Sequence, residues 1–115
     1  MSKKFKSPNP VGPYSMFKEL SSGGWITSGQ IPIDPENGTL NNNSVEEEVV
    51  QVFNNLEAVL SDNGKTLDDV KKFLVFLTDL SITPLVNAEI EKRLNEPFPA
   101  RSVSYTHLTL PTIAK

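Results

Sequence analysis

The chain has 115 residues, of which 37% are hydrophobic and 22% charged, and its formal net charge is −3. This length and composition are typical of one globular domain with a single core. The acidic balance and the scattered lysines lack the concentrated positive field that nucleic-acid binding requires, so we do not expect nucleic acid as a partner.

The chain contains no cysteine. This excludes disulfides, thiolate nucleophiles and metal sites with cysteine ligands. Residues Met1–Pro13 are polar and lack the apolar segment of a signal peptide. No apolar run is long enough to span a bilayer. We therefore expect a cytoplasmic protein with no membrane partner.

The first third of the chain predicts strands joined by tight turns. Ser15–Leu20 is a candidate first strand, and the aromatic and β-branched run Trp25–Ile33 predicts a second. Gly29 falls inside this second run, where a glycine often marks a bulge or the close approach of a ligand or another backbone. Asp34–Gly38 predicts a hairpin turn, because it contains Asn-Gly.

Ser44 predicts the start of a long helix. Glu47 follows three residues later and completes a capping box, in which the serine oxygen accepts from the Glu47 N–H and the glutamate reaches back. Asn63-Gly64 predicts the helix end. The three glutamates 46–48 suit the positive helix start, and we prefer this interpretation to a metal site. The apolar residues at helical spacing are Val45, Val49, Val52, Leu56, Val59 and Leu60.

The second half of the chain predicts strand, helix and strand. Val70–Thr78 is apolar through its centre, which indicates burial on both faces or a core face plus a subunit interface. Pro84–Leu94 predicts a helix capped by Thr83, and a strand follows from Arg101. The order predicts an α+β fold, a small mixed sheet with two helices on one face. The other sheet face has nothing to cover it, which implies an oligomer.

Few residues offer chemistry. A single histidine, His107, cannot complete a metal centre or a serine–histidine pair, and the chain has no Gly-rich phosphate loop. A guanidinium such as that of Arg101 can clamp a small carboxylate or phosphate with two parallel hydrogen bonds. Taken alone, Arg101 is more simply an arginine on a solvated strand edge. The polar set that could hold a small anion is Tyr14, Ser28, the backbone at Gly29, Asn87 and Arg101.

Four short motifs together resemble a known family. Their order and spacing are those of the reactive intermediate deaminases, the Rid or YjgF family, over roughly residues 7–102. Each motif is weak alone, and the set of four is specific. The motifs are Gly12-Pro13-Tyr14-Ser15, Thr27-Ser28-Gly29-Gln30-Ile31-Pro32, Val86-Asn87 and Phe98-Pro99-Ala100-Arg101-Ser102.

The resemblance implies a fold, an assembly and a reaction. The fold is a chorismate-mutase-like α+β sandwich, assembled as a homotrimer whose sheets face inward and whose active sites lie in clefts between subunits. The reaction is hydrolysis of 2-enamino or 2-imino acids, released by pyridoxal-phosphate enzymes, to 2-keto acids and ammonia. No cofactor and no metal is implied. The expected partners are thus the small imino or enamino acid and further copies of the chain.

The resemblance also assigns residue roles. Arg101 matches the arginine that binds the substrate carboxylate, and Tyr14 matches the tyrosine that closes over the substrate. Ser28 and Gly29 match residues that line the pocket, and Asn87 matches a pocket residue on the second helix. Two alternatives remain: a non-catalytic trimer that binds or senses small carboxylates, and a ribonuclease or translation inhibitor, a label carried by some relatives.

The chain departs from the family after Ser102. The family's last strand carries a glutamate that positions the hydrolytic water, and no glutamate follows Arg101 here. The run Val103–Thr112 resembles one reading frame of a transposon adapter used in sequencing. We therefore predict a Rid-like domain at 1–102 and an anomalous tail at 103–115, in which Tyr105 and His107 are accidental. Such a chain would have impaired activity, and resequencing of the locus tests the hypothesis.

Overall fold

The computed structural model describes residues 5–105 and contains, within that range, two α-helices, four β-strands and two 3-10 turns. This confirms the predicted α+β class. The chain divides after Leu67 into two units. The strands and helices are β1 Phe17–Glu19, β2 Trp25–Thr27, α1 Val45–Asp62, β3 Lys72–Leu77, α2 Thr83–Arg93 and β4 Ala100–Tyr105.

In the first unit, β1 and β2 form the predicted antiparallel pair, with Phe17 opposite Thr27. The rings of Phe17 and Trp25 stack with centroids 5.4 Å apart. The second predicted strand is too long, because regular pairing ends at Thr27 rather than at Ile33. Pro32 has no N–H to donate to a ladder. Ile33 then makes only an isolated antiparallel bridge to Leu40.

The predicted turn closes this bridge. The N–H of Asp34 donates to the carbonyl of Thr39 at 2.8 Å, and the N–H of Gly38 donates to the carbonyl of Asp34 at 2.8 Å. Gly38 has a φ of 74°, in the left-handed region that favours glycine. The Asn37-Gly38 signal is therefore confirmed as a tight turn.

Helix α1 begins where the sequence predicts. The N–H of Glu47 donates to Ser44 Oγ at 3.1 Å. In the return contact of the capping box, the Glu47 carboxylate accepts from the Ser44 hydroxyl at 3.4 Å rather than from the Ser44 backbone N–H. Gly64 has a φ of 73° beyond the helix end, as predicted. The core of the first unit consists of Phe53, Ala58, Val59, Leu60 and Leu67.

In the second unit, β3 and β4 pair in parallel and α2 connects them, which is a βαβ arrangement. The prediction that Thr83 caps α2 is wrong. Thr83 is already helical, and the preceding 3-10 turn Leu80–Ile82 runs directly into the helix. Asp79 caps that turn by accepting from the N–H of Ser81 at 2.9 Å. The core here consists of Phe73, Val86, Ile90 and Leu94.

The two faces of β3 differ in exposure. Phe73 is 9% exposed, whereas Leu74 and Phe76, on the opposite face, are 64% and 68% exposed. Of the two predicted alternatives, burial of both faces within the chain is therefore wrong. Paired residues of a ladder share a face, so Ser102 and Ser104 of β4 lie beside Leu74 and Phe76. We call these four residues the open sheet face.

The end of the chain is described in part. The backbone of β4 continues to Tyr105, which pairs with Leu77. Residues 106–115, including His107, lie outside the described range. Neither α-helix within residues 5–105 combines the length and the apolar character needed to cross a bilayer.

An ion-pair cluster around the buried Glu89 carboxylate lies on α2. The Glu89 carboxylate accepts from Arg93 Nε at 2.7 Å and from Lys92 Nζ at 3.1 Å, and the Glu89 side chain is 9% exposed. Burial alone would raise the pKa of Glu89. The hydrogen bonds and positive charges of Lys92 and Arg93 outweigh burial and hold the pKa below its ordinary value.

This cluster predicts acid-sensitive stability. Because the folded-state pKa is lowered, the contribution of Glu89 is fully present above the ordinary value of 4.5 and is lost as pH falls through the folded-state pKa. At pH 7, Glu89→Gln should lower the free energy of unfolding by about 1–3 kcal/mol. The difference between variant and native chain should shrink below pH 4.5 in urea titrations. Glu91→Gln, at an exposed position of the same helix, is the control; an equal effect there would contradict the assignment.

Candidate functional site

Arg101 and Asn87 form the first part of the candidate site. Arg101 lies on β4 and donates from Nη1 to Asn87 Oδ1 on α2. Both residues are exposed. Within residues 5–105 this is the one hydrogen bond of the guanidinium, which leaves Nε and Nη2 open to a ligand. The structure therefore brings together two of the predicted site residues.

The backbone on either side of Arg101 is fixed. The N–H of Ala100 donates to the carbonyl of Lys71 at 3.0 Å, and Arg101 pairs with Phe73 in the parallel ladder. Earlier in the connection, the Asp68 carboxylate accepts from the backbone N–H of Asn95 at 2.9 Å and from its Nδ2 at 3.0 Å. A guanidinium held by its strand and oriented by an amide oxygen is prepared to bind a carboxylate through its free edge.

Tyr14 lies in the turn that precedes β1. Its N–H donates to the carbonyl of Gly12 at 2.9 Å, and its hydroxyl accepts from the N–H of Val11 at 3.3 Å. The ring lies against Gly12, where an added Cβ would be 3.3 Å from a ring carbon. A side chain at position 12 would therefore press against the Tyr14 ring. The Tyr14 residue is 43% exposed.

Ser28 and Gly29 follow the end of β2. The Ser28 N–H donates to the carbonyl of Met16 at 2.9 Å, and its hydroxyl donates to the carbonyl of Ser15 at 2.6 Å. Gly29 is exposed, and an added Cβ would meet no atom of the described chain within 4 Å. Gly29 therefore lies beyond the regular strand rather than inside it, with open space where a side chain would be.

Tyr14 and Gly29 border the same small hollow. Its volume is about 10 Å³, enough for one water molecule. Met16, Gln30 and Ile31 also line it. Gln30 Nε2 donates to the carbonyl of Ser28 at 3.1 Å, which ties the hollow's wall to the end of β2. Tyr14, Ser28 and Gly29 thus form a second local group of predicted site residues.

The polar groups of the candidate site decide which chemistry it can perform. Among residues 5–105, no three histidine, aspartate or glutamate side chains are placed to hold an ion. The polar groups available are a guanidinium, an amide, a phenol, a hydroxyl and backbone N–H groups. Such groups bind and orient an anion and can relay a proton, and they suit a reaction whose substrate is already reactive.

One buried polar residue was missed by the sequence analysis. Asn55 is 0% exposed and hydrogen-bonds the backbone of Ile31 and Ile33, two residues that border the hollow. A signal was available, because Asn55 follows Val52 by three positions and precedes Val59 by four. A polar residue on the apolar stripe of a helix requires a buried partner.

Comparison with known proteins identifies relatives of this chain. The chain is 38% identical over 97 residues to a RutC family protein of Pyrococcus abyssi, covering 84% of this chain and 75% of that protein. It is 30% identical over 96 residues to a 2-iminobutanoate/2-iminopropanoate deaminase of Dermatophagoides farinae, covering 84% and 74%. The crystal structure of RidA from an Antarctic Psychrobacter species matches with a TM-score of 0.80 and 36% identity, covering 91% of this chain and 84% of that one.

The family assignment follows. The family model described as Endoribonuclease L-PSP matches residues 4–111, nearly the whole chain. With the structural likeness to RidA, this gives the chain the chorismate-mutase-like α+β fold. The chain therefore belongs to the Rid/YjgF family, whose family model carries the description Endoribonuclease L-PSP.

Proposed function

We propose that the protein hydrolyses reactive 2-imino and 2-enamino acids to 2-keto acids and ammonia. The observation that carries the proposal is the Arg101 guanidinium, which Asn87 orients and whose Nε and Nη2 bind no other group among residues 5–105. This arrangement suits a small carboxylate next to a reacting carbon. The name of the Dermatophagoides farinae relative, 2-iminobutanoate/2-iminopropanoate deaminase, supports the same substrate class.

The chemistry needs little from the protein. Water adds to the electrophilic imine carbon, and the resulting carbinolamine expels ammonia as the C–N bond breaks and the C=O bond forms. An enamino acid first takes a proton at its β-carbon to become the imine. The oxidation state of the carbon does not change, so the hydrolysis needs no oxidant or reductant. The protein's part is to hold the carboxylate at Arg101 and to orient water and protons around the imine.

The remaining site residues receive supporting roles. Tyr14 closes over the bound acid with its partly exposed ring. Ser28 and Gly29 line the pocket wall, where the bare Gly29 leaves space for a ligand. Asn87 holds the guanidinium in place. We place the reaction in the cytoplasm, in keeping with a chain that contains no cysteine.

We further propose that three copies assemble around the open sheet face. Leu74 and Phe76 are large apolar side chains, 64% and 68% exposed on adjacent positions of one face of β3. Apolar side chains grouped in this way mark a protein–protein contact. The active sites of the trimer would lie in clefts between subunits.

A non-catalytic carboxylate-binding trimer is the second candidate. The observation that favours it is the polar set of the site, a guanidinium, an amide, a phenol and a hydroxyl, which can hold a small carboxylate without further chemistry. The third candidate, a ribonuclease or translation inhibitor, takes its support from the family model's description. The net charge of −3 argues against it, because RNA binding depends on basic side chains.

The test compares two chains: the chain as written, and one whose end after Ser102 follows the resequenced genomic locus. Each is added to 2-iminobutanoate generated in situ, and 2-oxobutanoate release is measured against spontaneous hydrolysis. We expect acceleration by the restored chain and little by the chain as written. Binding of 2-oxobutanoate without turnover by the restored chain would favour the non-catalytic candidate. Full activity of the chain as written would refute a need for the missing glutamate.

A further inference from the structure

A buried amide supports the segment that carries Gly29. Asn55 of α1 is fully buried. Its Nδ2 donates to the carbonyl of Ile31 at 3.0 Å and to the carbonyl of Ile33 at 2.8 Å. Both N–H bonds of one amide are therefore used on two carbonyls of one short backbone segment. An amide so placed supplies hydrogen bonds that a neighbouring strand would otherwise supply, because residues 29–32 pair with no strand within residues 5–105.

The orientation of the Asn55 amide is itself fixed. Its Oδ1 accepts from Gln51 Nε2 at 2.9 Å, one helical turn earlier. Gln51 Oε1 in turn accepts from Asn41 Nδ2 at 3.2 Å. Asn41 donates to Gln51, and Gln51 donates to Asn55. Because the Asn55 oxygen accepts this hydrogen bond, the orientation of its amide is determined. That orientation is the one that presents Nδ2 to the backbone.

The same network secures the residue in between. The carbonyl of Pro32 accepts from the backbone N–H of Asn41 at 2.7 Å. Three consecutive carbonyls, those of residues 31–33, are thus all held by Asn41 or Asn55. The segment lacks regular strand pairing, yet its path is determined by side chains of α1 and by the residue at position 41.

This segment borders the small hollow beside Tyr14 and contains Gly29, which the proposed function places against the ligand. Gly29, Gln30, Ile31 and Ile33 border the hollow next to Tyr14. We propose that Asn55 is a positioning residue for ligand binding: it touches no ligand, and it fixes the backbone of residues 29–33 against which the ligand lies. The identity of the ligand rests on the proposed function. The fixed position of the backbone rests on the hydrogen bonds of Asn55 alone.

The first test measures backbone amide exchange in the full chain. The N–H groups of Ile33 and Asn41 donate within the segment and report its stability. Asn55→Ala should speed exchange at both by about tenfold or more, because both buried hydrogen bonds from the amide to the segment are lost. Exchange at Lys65 should not change. Lys65 lies beyond the end of α1, and its N–H donates to the carbonyl of Leu60 inside the helix.

The second test measures binding of 2-oxobutanoate. We expect Asn55→Ala to weaken binding about tenfold, since a displaced wall misplaces the ligand. The matched control is Asn54→Ala, at the preceding residue of the same helix. The buried Oδ1 of Asn54 has no hydrogen-bond partner within residues 5–105. This control should leave exchange at Ile33 and Asn41, and binding, as in the native chain.

The outcomes separate the two proposals. Unchanged exchange and binding in a folded Asn55→Ala chain, or equal effects of Asn54→Ala, would overturn the role of Asn55. If Asn55→Ala does not fold, Gln51→Ala decides, because it removes the bond that orients the Asn55 amide, together with the bond from Asn41, and leaves Asn55 itself in place. Unchanged exchange at Ile33 would then overturn the role. A native chain that does not bind 2-oxobutanoate would refute the proposed carboxylate site, while the exchange data would still decide what Asn55 does.

Discussion

Replacing Arg101 by alanine should weaken binding of 2-oxobutanoate by about 100-fold, because a carboxylate loses two charge-assisted hydrogen bonds. Arg101→Lys keeps the positive charge but cannot present two parallel N–H groups, and we expect about a tenfold loss. Titration calorimetry on the folded variants measures both. A Lys variant as weak as the Ala variant would show that charge alone contributes nothing, and a native-like Ala variant would remove Arg101 from the site.

The control for Arg101 is the chain's other arginine. Arg93 donates to Glu89 within α2 and belongs to no part of the candidate site. Arg93→Lys retains a cation beside Glu89 and should leave 2-oxobutanoate binding unchanged. If Arg93→Lys weakens binding as much as Arg101→Lys, the loss reports a general disturbance of the fold rather than the loss of a clamp.

Variants of Asn87 test whether its side chain orients the Arg101 guanidinium. Its Oδ1 accepts from Arg101 Nη1, so Asn87→Ala frees the guanidinium to rotate and should weaken binding by a few-fold. Asn87→Asp places a carboxylate at the same position. It would pair with Arg101 and repel the acid, so its loss should exceed that of the alanine variant. The reverse order would contradict an orienting role for the Asn87 side chain.

The features that sequence predicts well are those decided locally. Ser44 caps α1 through the N–H three residues on, and Gly38 and Gly64 adopt positive φ where a turn and a helix end require it. In each case the residue and its partner lie within a few positions. Thr83 shows the limit of such reasoning, because the 3-10 turn before it already supplies the helix start.

The features that sequence predicts poorly depend on distant partners. The second strand ends at Thr27, and beyond it the carbonyls of Ile31 and Ile33 accept from Asn55, 24 and 22 positions later. From the residue pattern alone, Arg101 is interpreted as an arginine on a solvated strand edge. Its pairing with Asn87, 14 positions away, follows from the βαβ arrangement, and the sequence analysis brought the two together only through family resemblance.

The open sheet face predicts the largest effect on assembly. In Phe76→Glu a carboxylate replaces an apolar ring that is 68% exposed in the single chain, so folding of the subunit should be little affected. In the proposed trimer, three unpaired charges would be buried together, which costs several kcal/mol each. We expect the native chain to sediment at three times its 12.7 kDa mass and the variant to sediment as a monomer.

Phe76→Leu is the matched control, because it keeps an apolar side chain of lower volume and should leave the trimer intact. Leu74→Glu, two positions earlier on the same face, should dissociate the trimer as Phe76→Glu does. Loss of the trimer should also weaken 2-oxobutanoate binding if the pockets lie between subunits, although Arg101 and Tyr14 are unchanged. A Phe76→Glu chain that remains a trimer would exclude the open sheet face as the subunit contact, and a monomeric native chain would refute the trimer itself.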